Sequence, residues 1–214
     1  MTEPGAVVIG GYANGVSALR SLARAGVRTA VVLTKPYDVA HHSRYAHEHH
    51  RVLDLHRRPD GLLDLLQDRA AEWRGWALIP TNDYALTALA QHRELLSRWY
   101  PLSVPEPEIV QQVVVKPNTY RLAREVGVAV PRCYGPASRA TAQRSDISYP
   151  VVVKPQVSAS FWDHFGKKLF VARSPFELVG VVDQVERAGL AAEVFDLVPG
   201  PDHEFYNYTV YLDR

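Results

Sequence analysis

The stretch Tyr149-Pro150-Val151-Val152-Val153-Lys154-Pro155 decides how the second half of the chain is interpreted. Its run of β-branched apolar residues is typical of a buried strand, and Lys154 stands at the carboxyl end of that strand. Pro155 has no N–H to donate, so the strand is expected to end there. A second apolar run at residues 169–172 predicts an antiparallel partner strand, and residues 156–168 predict a long loop between the two.

The predicted loop carries groups that suit a polyanion. Ser158 and Ser160 offer hydroxyls, and Lys167 and Lys168 close the loop with two ammonium charges. Backbone N–H groups, hydroxyls and lysines together bind phosphate oxygens well. Long loops inside a compact domain are usually functional or disordered. This favours a loop that closes over a bound ligand as a lid. The alternative is an ordinary loop that follows a strand with a surface lysine.

Length and composition are those of an ordinary globular protein. The chain has 214 residues, 47% hydrophobic and 22% charged, with a formal net charge of +1. This balance provides no basic field for nucleic acid or an anionic membrane. Polar residues interrupt every apolar run before about 18 residues, so no membrane span is expected. Cys133 is the single cysteine and the first residues lack a signal-peptide pattern, so we expect a cytoplasmic protein.

The first half of the chain alternates strand and helix patterns. Strands are predicted at residues 6–9, 29–33 and 76–79, helices at 16–25, 61–71 and 83–98, and a short extended run at 102–104. Such alternation with short turns predicts a parallel sheet covered on both faces. The composition break at Pro105 predicts a boundary between a domain at residues 1–104 and a second at residues 105–214.

The second half mixes helices with strands. Helices are predicted at residues 108–115 and 119–126 and from Ser174, where Ser174 and Glu177 form a capping-box pair, to Gly189; further strands are predicted at 190–198 and 205–212. The sequence stops soon after this last predicted strand. We therefore expect a truncated chain or one part of a larger enzyme.

Residues 10–15, Gly-Gly-Tyr-Ala-Asn-Gly, form a glycine-rich turn between the first strand and the first helix. The dinucleotide-binding fingerprint requires glycine at the position held by Tyr12, whose side chain would obstruct a pyrophosphate. The second strand also ends without an acid that could bind a ribose hydroxyl. An NAD(P)-binding domain is therefore the least favoured interpretation.

The same turn still offers N–H groups at a helix N-terminus, which suit a carboxylate or a phosphate. Gly11, Tyr12 and Asn14 are the candidate substrate contacts there, together with Asp83 at the carboxyl end of another strand. Asn82 or Asp83 can equally cap the helix that follows, and both roles are compatible.

A histidine-rich stretch precedes residue 51. Clustered imidazoles can bind a transition metal, but no cysteine joins them and no helical pair is evident, so a solvated loop is the default and metal binding stays open. The residues are His41, His42, His47, His49 and His50.

The chain has, in order, a glycine turn in an α/β domain, a lysine before a helix, a strand that ends Val-Val-Lys-Pro, a loop, and a strand that runs into Pro-Gly-Pro-Asp. This order resembles the ATP-grasp superfamily, specifically the carboxylate–amine or carboxylate–thiol ligase-like members with a preceding α/β domain. The resemblance covers nearly all of this chain but only the first half to two-thirds of such an enzyme. It implies an α/β fold, with a Rossmann-like parallel-sheet domain before a smaller α+β ATP-grasp subdomain of antiparallel strands.

The resemblance also implies roles for residues that contact phosphate. Lys116 is similar to the first basic residue that contacts the ATP phosphates, and Lys154 to the central phosphate-binding lysine. Ser158, Ser160 and Lys168 correspond to the loop that folds over the β- and γ-phosphates.

Further residues correspond to the base and ribose contacts. Phe195, Asp196 and Val198 match the adenine hinge, and Asp202 takes the place of the acid that holds the ribose hydroxyls. Two features depart from the family pattern. Phe195 stands where many members have Glu or Gln, and Gly166 is the only glycine of the phosphate loop.

The implied chemistry is ATP-driven activation of a small carboxylate as an acyl phosphate, followed by attack of an amine. Mg²⁺ is the implied metal, and its ligands and the catalytic residues are expected beyond Arg214, so this chain alone is predicted to be inactive. The alternative is a non-catalytic module that binds a nucleotide, a metabolite or a partner, and a homodimer is also left open.

Overall fold

The computed structural model describes residues 4–53, 55, 58, 60–156, 158–204 and 206, with only the backbone described at 158–160 and 202. The chain forms two compact units, Met1–Val114 and Val115–Arg214. Each unit has its own sheet and its own apolar core.

The first unit is built on a parallel sheet of order β3-β2-β1-β4. Its strands are β1 (Gly5–Ile9), β2 (Arg28–Leu33), β3 (Glu48–Arg51) and β4 (Ala77–Pro80). Its helices are α1 (Ala13–Arg24), α2 (Asp60–Asp68), α3 (Asp83–Gln91), α4 (Arg93–Leu96) and α5 (Pro107–Val114), with a 3₁₀ turn at Val39–His42.

Helices cover both faces of this sheet, as the sequence predicted. Alternate residues of a strand point to opposite faces. Val7 and Ile9 of β1 therefore pack with Leu62 of α2 and Leu89 of α3, while Val8 packs on the other face with Leu19 of α1. Burial on both faces explains why these strands are continuous apolar runs.

Three local expectations in this unit are corrected by the structure. The helix predicted at residues 83–98 is divided at His92 into α3 and α4, because His92 has non-helical backbone angles. No strand is assigned at 102–104. Part of the histidine-rich stretch, predicted to be a loop, forms the edge strand β3, which pairs with β2 from Ala30 to Leu33.

The second unit has an antiparallel sheet of order β5-β8-β6-β7. Its strands are β5 (Cys133–Pro136), β6 (Val151–Pro155), β7 (Phe170–Ala172) and β8 (Ala192–Asp196). Its helices are α6 (Lys116–Glu125), α7 (Arg139–Ala142), α8 (Ser158–Phe165) and α9 (Pro175–Arg187), with a 3₁₀ turn at Asp202–Glu204.

The two faces of this sheet are covered by different helices. Val151 and Val153 of β6 pack in one cluster with Phe161 of α8 and Val182 of α9. On the opposite face, Tyr120 of α6 packs against Phe195 of β8, with ring centroids 5.0 Å apart. The start of α9 is the one predicted from sequence, since the Ser174 hydroxyl accepts a hydrogen bond of 3.2 Å from the Glu177 N–H.

The prediction of a long loop at residues 156–168 is wrong, because most of this segment forms α8. Phe161 and Phe165 lie one turn apart on that helix, with ring centroids 4.8 Å apart. Phe161 is completely buried and also contacts the ring of Phe170 on β7 at 5.6 Å. Burial of this aromatic pair gives the segment a helical face. The hydroxyl-rich start of the segment concealed that face in the sequence.

The division between the units follows α5, whereas the expected boundary precedes it. Arg93 holds this connecting segment to the first unit, since its Nε lies 2.9 Å from Glu106 Oε1 and its Nη1 donates to the Val104 carbonyl oxygen. The strand expected at 205–212 lies outside the described residues. In the part of the chain that is described, no helix is long and apolar enough to cross a membrane.

Candidate active site

The carboxyl end of β6 brings Lys154 and the backbone of Lys116 together, two of the three lysines that were expected to contact phosphate. Lys154 is half-buried on β6 and stands opposite Glu193 of β8. The backbone N–H of Lys116, the first residue of α6, donates to the carbonyl oxygen of Gln156 over 3.5 Å. Because Gln156 directly follows β6, the start of α6 is held beside the end of the strand that carries Lys154.

Lys168 returns to this same end of the sheet. β7 runs antiparallel to β6 with Phe170 opposite Val153, so residues just before Phe170 lie toward Pro155. Lys168 is therefore near the strand end and is exposed. Its neighbour Lys167 has its ammonium nitrogen 5.2 Å from the Phe170 ring centroid, a cation–π contact.

Two helices begin at this strand end. The first N–H groups of any helix have no acceptor within the helix, and they carry the positive end of its dipole. Neither α6 nor α8 has an acidic residue in its first turn. The N–H groups and the lysines together make this end of β6 suited to an anion.

A pocket of about 570 Å³ lies at the carboxyl end of β8, whereas the amino end of β8 pairs with the carboxyl end of β6. It contains two of the residues expected at the adenine hinge, Asp196 and Val198, and does not contain Phe195. The full lining is Ala129, Val130, Pro131, Arg132, Ser148, Tyr149, Asp196, Leu197, Val198 and Pro199. The side chain of Val198 is 67% exposed and is available to a ligand.

The polar side of this pocket is organised by Tyr134. Its hydroxyl donates to Asp196 Oδ1 over 2.6 Å and accepts from the Ser148 N–H over 3.1 Å. Tyr149 presents a different situation. Its hydroxyl oxygen is buried without a hydrogen-bond partner among the described residues, and burial raises the pKa of this phenol.

Phe195 lies inside β8 and away from the pocket. Its side chain is 1% exposed, and its ring is covered by Tyr120 of α6 with centroids 5.0 Å apart. Its neighbours across the sheet are Val152 of β6 and Cys133 of β5. The side chains of Ser158, Ser160 and Asp202 lie outside the described part of the chain.

The first unit has a separate candidate site at the carboxyl edge of its sheet. In the order β3-β2-β1-β4, the chain leaves β1 for β2 on one side, and β4 is added later, after β3, on the other side of β1. The crevice between β1 and β4 is therefore the topological switch point at which open parallel sheets bind ligands. Gly11, Tyr12 and Asn14 follow β1, and Asp83 follows β4. All four candidate substrate contacts therefore flank this crevice.

Glycine is required at the entrance to this crevice. Gly10 has φ 104°, and a Cβ atom there would lie 2.4 Å from Thr81 Oγ1 and 2.5 Å from Asn82 Nδ2. The Thr81 hydroxyl donates to the carbonyl oxygens of Ile9 and Gly10 over 2.9 and 3.1 Å. These bonds join the ends of β1 and β4.

The helices that begin at the crevice differ in how they are capped. Asn82 caps α3, since its Oδ1 accepts from the Ala85 N–H over 2.9 Å. The N-cap residue of α1, Tyr12, makes no side-chain capping hydrogen bond, and the first turn of α1 contains no acid. The start of α1 is therefore the better site for a carboxylate.

Two side chains near the crevice were not found by sequence reasoning. Tyr37 makes an edge-to-face contact with Tyr12 at 6.2 Å, and both rings are more than half exposed. Lys35 follows β2, and its ammonium nitrogen lies 5.4 Å from the ring centroid of Tyr84 on α3. The signal that could have found Lys35 is the one that found Asp83, a polar residue just after a buried strand.

The histidines do not form a metal centre in the described residues, where no group of three His, Cys, Asp or Glu side chains could hold an ion. His41 contacts His42 and His49 with ring centroids at 4.7 and 6.3 Å. The pKa of His41 is lowered by desolvation and by the nearby positive charge of Arg51. His50 packs on the other side of β3 against Trp73.

No protein-family model matches the chain, and no curated protein matches it significantly in sequence. Solved structures do match in fold. The L-amino acid ligase from Bacillus licheniformis has a TM-score of 0.70 at 16% identity, over 94% of this chain and 46% of that enzyme. N5-carboxyaminoimidazole synthetase from Staphylococcus aureus, solved with ADP, has a TM-score of 0.66 at 14% identity, over 92% of this chain and 48% of that one.

A third match is the biotin carboxylase domain of 2-oxoglutarate carboxylase from Hydrogenobacter thermophilus, solved with MgADP and bicarbonate. Its TM-score is 0.64 at 17% identity, over 92% of this chain and 45% of that one. The chain thus spans about half the length of the enzymes it matches. The parallel-sheet unit followed by the antiparallel-sheet unit is therefore a fold that this chain shares with about half of each of these enzymes.

Proposed function

We propose that this chain carries nucleotide-binding and carboxylate-binding parts of an ATP-dependent ligase that joins a small carboxylate to an amine. The observation that carries the proposal is the convergence at the carboxyl end of β6. Lys154, Lys168 and the start of α6 at Lys116 meet there with the first N–H groups of α8. Such a set of donors and positive charges suits the phosphates of a nucleotide.

The pocket at the end of β8 fits the other part of a nucleotide. Its volume of about 570 Å³ lies within the usual range for a small ligand. Asp196 stands opposite Val151, and Glu193 stands opposite Lys154. Three residues of strand therefore separate the pocket from the phosphate end, about 10 Å at 3.3 Å per residue.

A polar atom at this pocket also lacks a partner. The Tyr149 hydroxyl is buried and makes no hydrogen bond to the described residues. Buried polar groups are normally satisfied. This hydroxyl oxygen has no accessible surface, so a ligand in the pocket would contact other atoms of Tyr149.

The proposed reaction has two steps. A carboxylate oxygen attacks the γ-phosphorus of ATP, the bond to the β-phosphate oxygen breaks, and an acyl phosphate and ADP are formed. The amine nitrogen then attacks the acyl carbon, inorganic phosphate leaves, and the nitrogen loses a proton. In the first step Lys116, Lys154 and Lys168 would hold the negative phosphate oxygens while charge shifts toward ADP.

The carboxylate would bind in the first unit at the start of α1. The N–H groups of that first turn are uncapped, and Gly11 and Tyr12 form the approach to them. Asn14 would donate from its side-chain amide, and Asp83 across the crevice would accept from the ammonium or hydroxyl group of a substrate.

We propose Mg²⁺ as the metal that accompanies the nucleotide, because a triphosphate needs its charge offset. The described residues contain no group of three metal-binding side chains, and the chain spans about half of the enzymes it matches. We therefore propose that the chain binds nucleotide but does not turn over alone.

We also propose a cytoplasmic location, which the free thiol of Cys133 supports.

Calorimetric titration with Mg-ATP and Mg-ADP tests nucleotide binding by this chain. We expect binding by the unaltered protein and a loss of about tenfold or more in affinity for Lys154→Ala, because a charge-assisted contact to phosphate is removed. Arg173→Gln is the control. It removes one positive charge from an exposed position just after β7, at the opposite end of that strand from Lys168.

The results separate the ligase interpretation from its rival. Equal affinities for Lys154→Ala and Arg173→Gln would place any bound nucleotide away from the carboxyl end of β6 and contradict the proposal. Absence of binding by folded protein would favour an interaction module instead. ADP release from ATP, carboxylate and amine by the purified chain would contradict the proposal that it does not turn over alone.

A further inference from the structure

Three arginines surround the hydroxyl of Tyr45 in the first unit. Arg44 Nη2 donates to the Tyr45 hydroxyl oxygen over 3.3 Å, and the Arg44 guanidinium carbon lies 5.2 Å from the centroid of the Tyr45 ring. Arg20 and Arg24 on α1 lie close enough to this hydroxyl to act on its ionisation. The phenol thus has three guanidinium groups in its neighbourhood.

The surrounding fold holds Tyr45 in place. Its ring packs against the apolar cluster of Leu19 and Val31, which lies under α1. Its carbonyl oxygen accepts a hydrogen bond of 2.5 Å from the hydroxyl of Thr29, a completely buried residue. Its N–H donates to Ser43 Oγ over 3.3 Å. The hydroxyl is therefore presented to the arginines by a fixed backbone.

The positive charges of this cluster are not offset in the described part of the chain. None of the ion pairs found there involves Arg20, Arg24 or Arg44. Arg20 and Arg24 are one turn apart on α1, where two like charges destabilise a helix. Arg24 alone could be explained by the C-terminal end of the helix dipole, but the helix dipole does not explain why three arginines lie near one phenol.

The charge cluster changes the chemistry of the phenol. The pKa of Tyr45 is lowered to about 8, most by the hydrogen bond from Arg44 and next by the nearby Arg20. A site that stabilises a phenolate oxygen in this way stabilises other anionic oxygens for the same reason. Three planar guanidiniums match a tetrahedral phosphate, with at least three accessible oxygens, better than a carboxylate with two.

We propose that Arg20, Arg24 and Arg44 bind a phosphate group at the Tyr45 hydroxyl, forming an anion site separate from the proposed active site. Arg20 and Arg24 lie in the second half of α1, whereas the candidate carboxylate site lies at its first residue. Seven residues of helix separate Ala13 from Arg20, about 10 Å at 1.5 Å per residue. The ligand is free phosphate or a phosphate monoester of a small molecule.

Spectrophotometric titration of the tyrosine phenols tests the proposal in the full chain. The difference between the unaltered protein and Tyr45→Phe isolates the ionisation of Tyr45. We expect it near pH 8 in buffer without phosphate. Inorganic phosphate should shift it toward the ordinary value of about 10, because the bound anion offsets the arginine charges.

Two variants separate this site from general charge effects. Arg20→Gln/Arg24→Gln should raise the pKa of Tyr45 without phosphate, remove its response to phosphate, and weaken phosphate binding by about tenfold. Arg98→Gln, which removes an exposed charge elsewhere in the first unit, should behave like the unaltered protein. Circular dichroism confirms that each variant is folded.

A phenol pKa that does not respond to phosphate in the folded chain would overturn the proposal. The same holds if Arg98→Gln abolishes the response as fully as the double variant. Acetate at the same ionic strength should shift the pKa much less than phosphate, and an equal shift would contradict a site for tetrahedral anions. Comparison of inorganic phosphate with glycerol phosphate decides between a free and an esterified ligand. Lys154→Ala should retain the response, which makes this test independent of nucleotide binding.

Discussion

The hydroxyl of Tyr134 joins three segments of the second unit, because it donates to Asp196 Oδ1 over 2.6 Å and accepts from the Ser148 N–H over 3.1 Å. The Tyr134 side chain is only 3% exposed, so water cannot easily replace these bonds. We expect Tyr134→Phe to lower the free energy of unfolding by about 1–3 kcal/mol, since it leaves a carboxylate and an N–H without this partner. Urea denaturation followed by circular dichroism measures the change.

Tyr149→Phe is the matched control for that substitution. It removes the same atom from a tyrosine of the same pocket whose hydroxyl has no hydrogen-bond partner among the described residues. We expect its free energy of unfolding to equal or exceed that of the unaltered chain, because a buried unsatisfied group is removed. Equal losses for the two variants would show that the bonds of Tyr134 contribute nothing.

At the scale of single residues, the sequence predicts the position of a polar group best where it ends a strand. Lys154, Asn82 and Asp83 were placed at strand ends because a polar residue interrupts or follows a buried apolar run. Tyr134 was missed because Asp196, the carboxylate it binds, is 62 residues away in the sequence. A contact of that kind depends on the pairing of β5 with β8, and no local pattern records it.

The largest correction concerns an element, since α8 replaces the predicted phosphate loop. Phe161 is completely buried, whereas its neighbour Trp162 is 47% exposed. We expect Phe161→Ala to lower the free energy of unfolding by about 3–5 kcal/mol, because it opens a cavity beneath α8. Trp162→Ala changes the adjacent position on the solvent side and should cost much less. Chemical denaturation of both variants measures this difference.

An equal cost for the two substitutions would contradict the orientation of α8. If residues 156–168 formed the flexible loop that the sequence predicted, both losses would be small. A large loss for Phe161→Ala alone would support a helix that is fixed on the sheet by its aromatic face and presents its first N–H groups to the end of β6.

Elements were predictable where a segment's own pattern matches its environment. The stripe of α9, with Leu178, Val182 and Val185 buried, is visible in the sequence, and so is its Ser174 cap. β3 was not predictable, because its residues Glu48–Arg51 are polar and pair with β2 at the edge of the sheet. Glu48 is held there by tertiary bonds, to Trp73 Nε1 at 3.2 Å and to Arg28. Strand formation at such a position reflects its neighbours more than its composition.

At the scale of the whole molecule, the chain has two separate sets of core residues. The clusters of the first unit contain residues from Val7 to Val104, and the cluster of the second contains residues from Tyr134 to Val194. The order of a parallel-sheet unit before an antiparallel-sheet unit was predictable from sequence, because strand–helix alternation gives way to a β-rich pattern. The position of the division between the two units was harder to predict from sequence, because the contacts of Arg93 with the connecting segment depend on tertiary structure.

Separate cores predict separate unfolding. Of the four tryptophans, Trp162 alone belongs to the second unit, so in a Trp162→Phe background the fluorescence reports only the first. Adding Phe161→Ala should leave the fluorescence midpoint in urea unchanged, while circular dichroism, which reports both units, acquires an earlier transition. Leu66→Ala, a buried change in the first core, should instead lower the fluorescence midpoint. If Phe161→Ala moved both signals together, the two units would unfold as one cooperative body.

Nucleotide bound at β6 gives a second test of the same question. If the units unfold as one body, nucleotide should raise both midpoints. If they unfold separately, it should raise only the circular dichroism transition of the second unit.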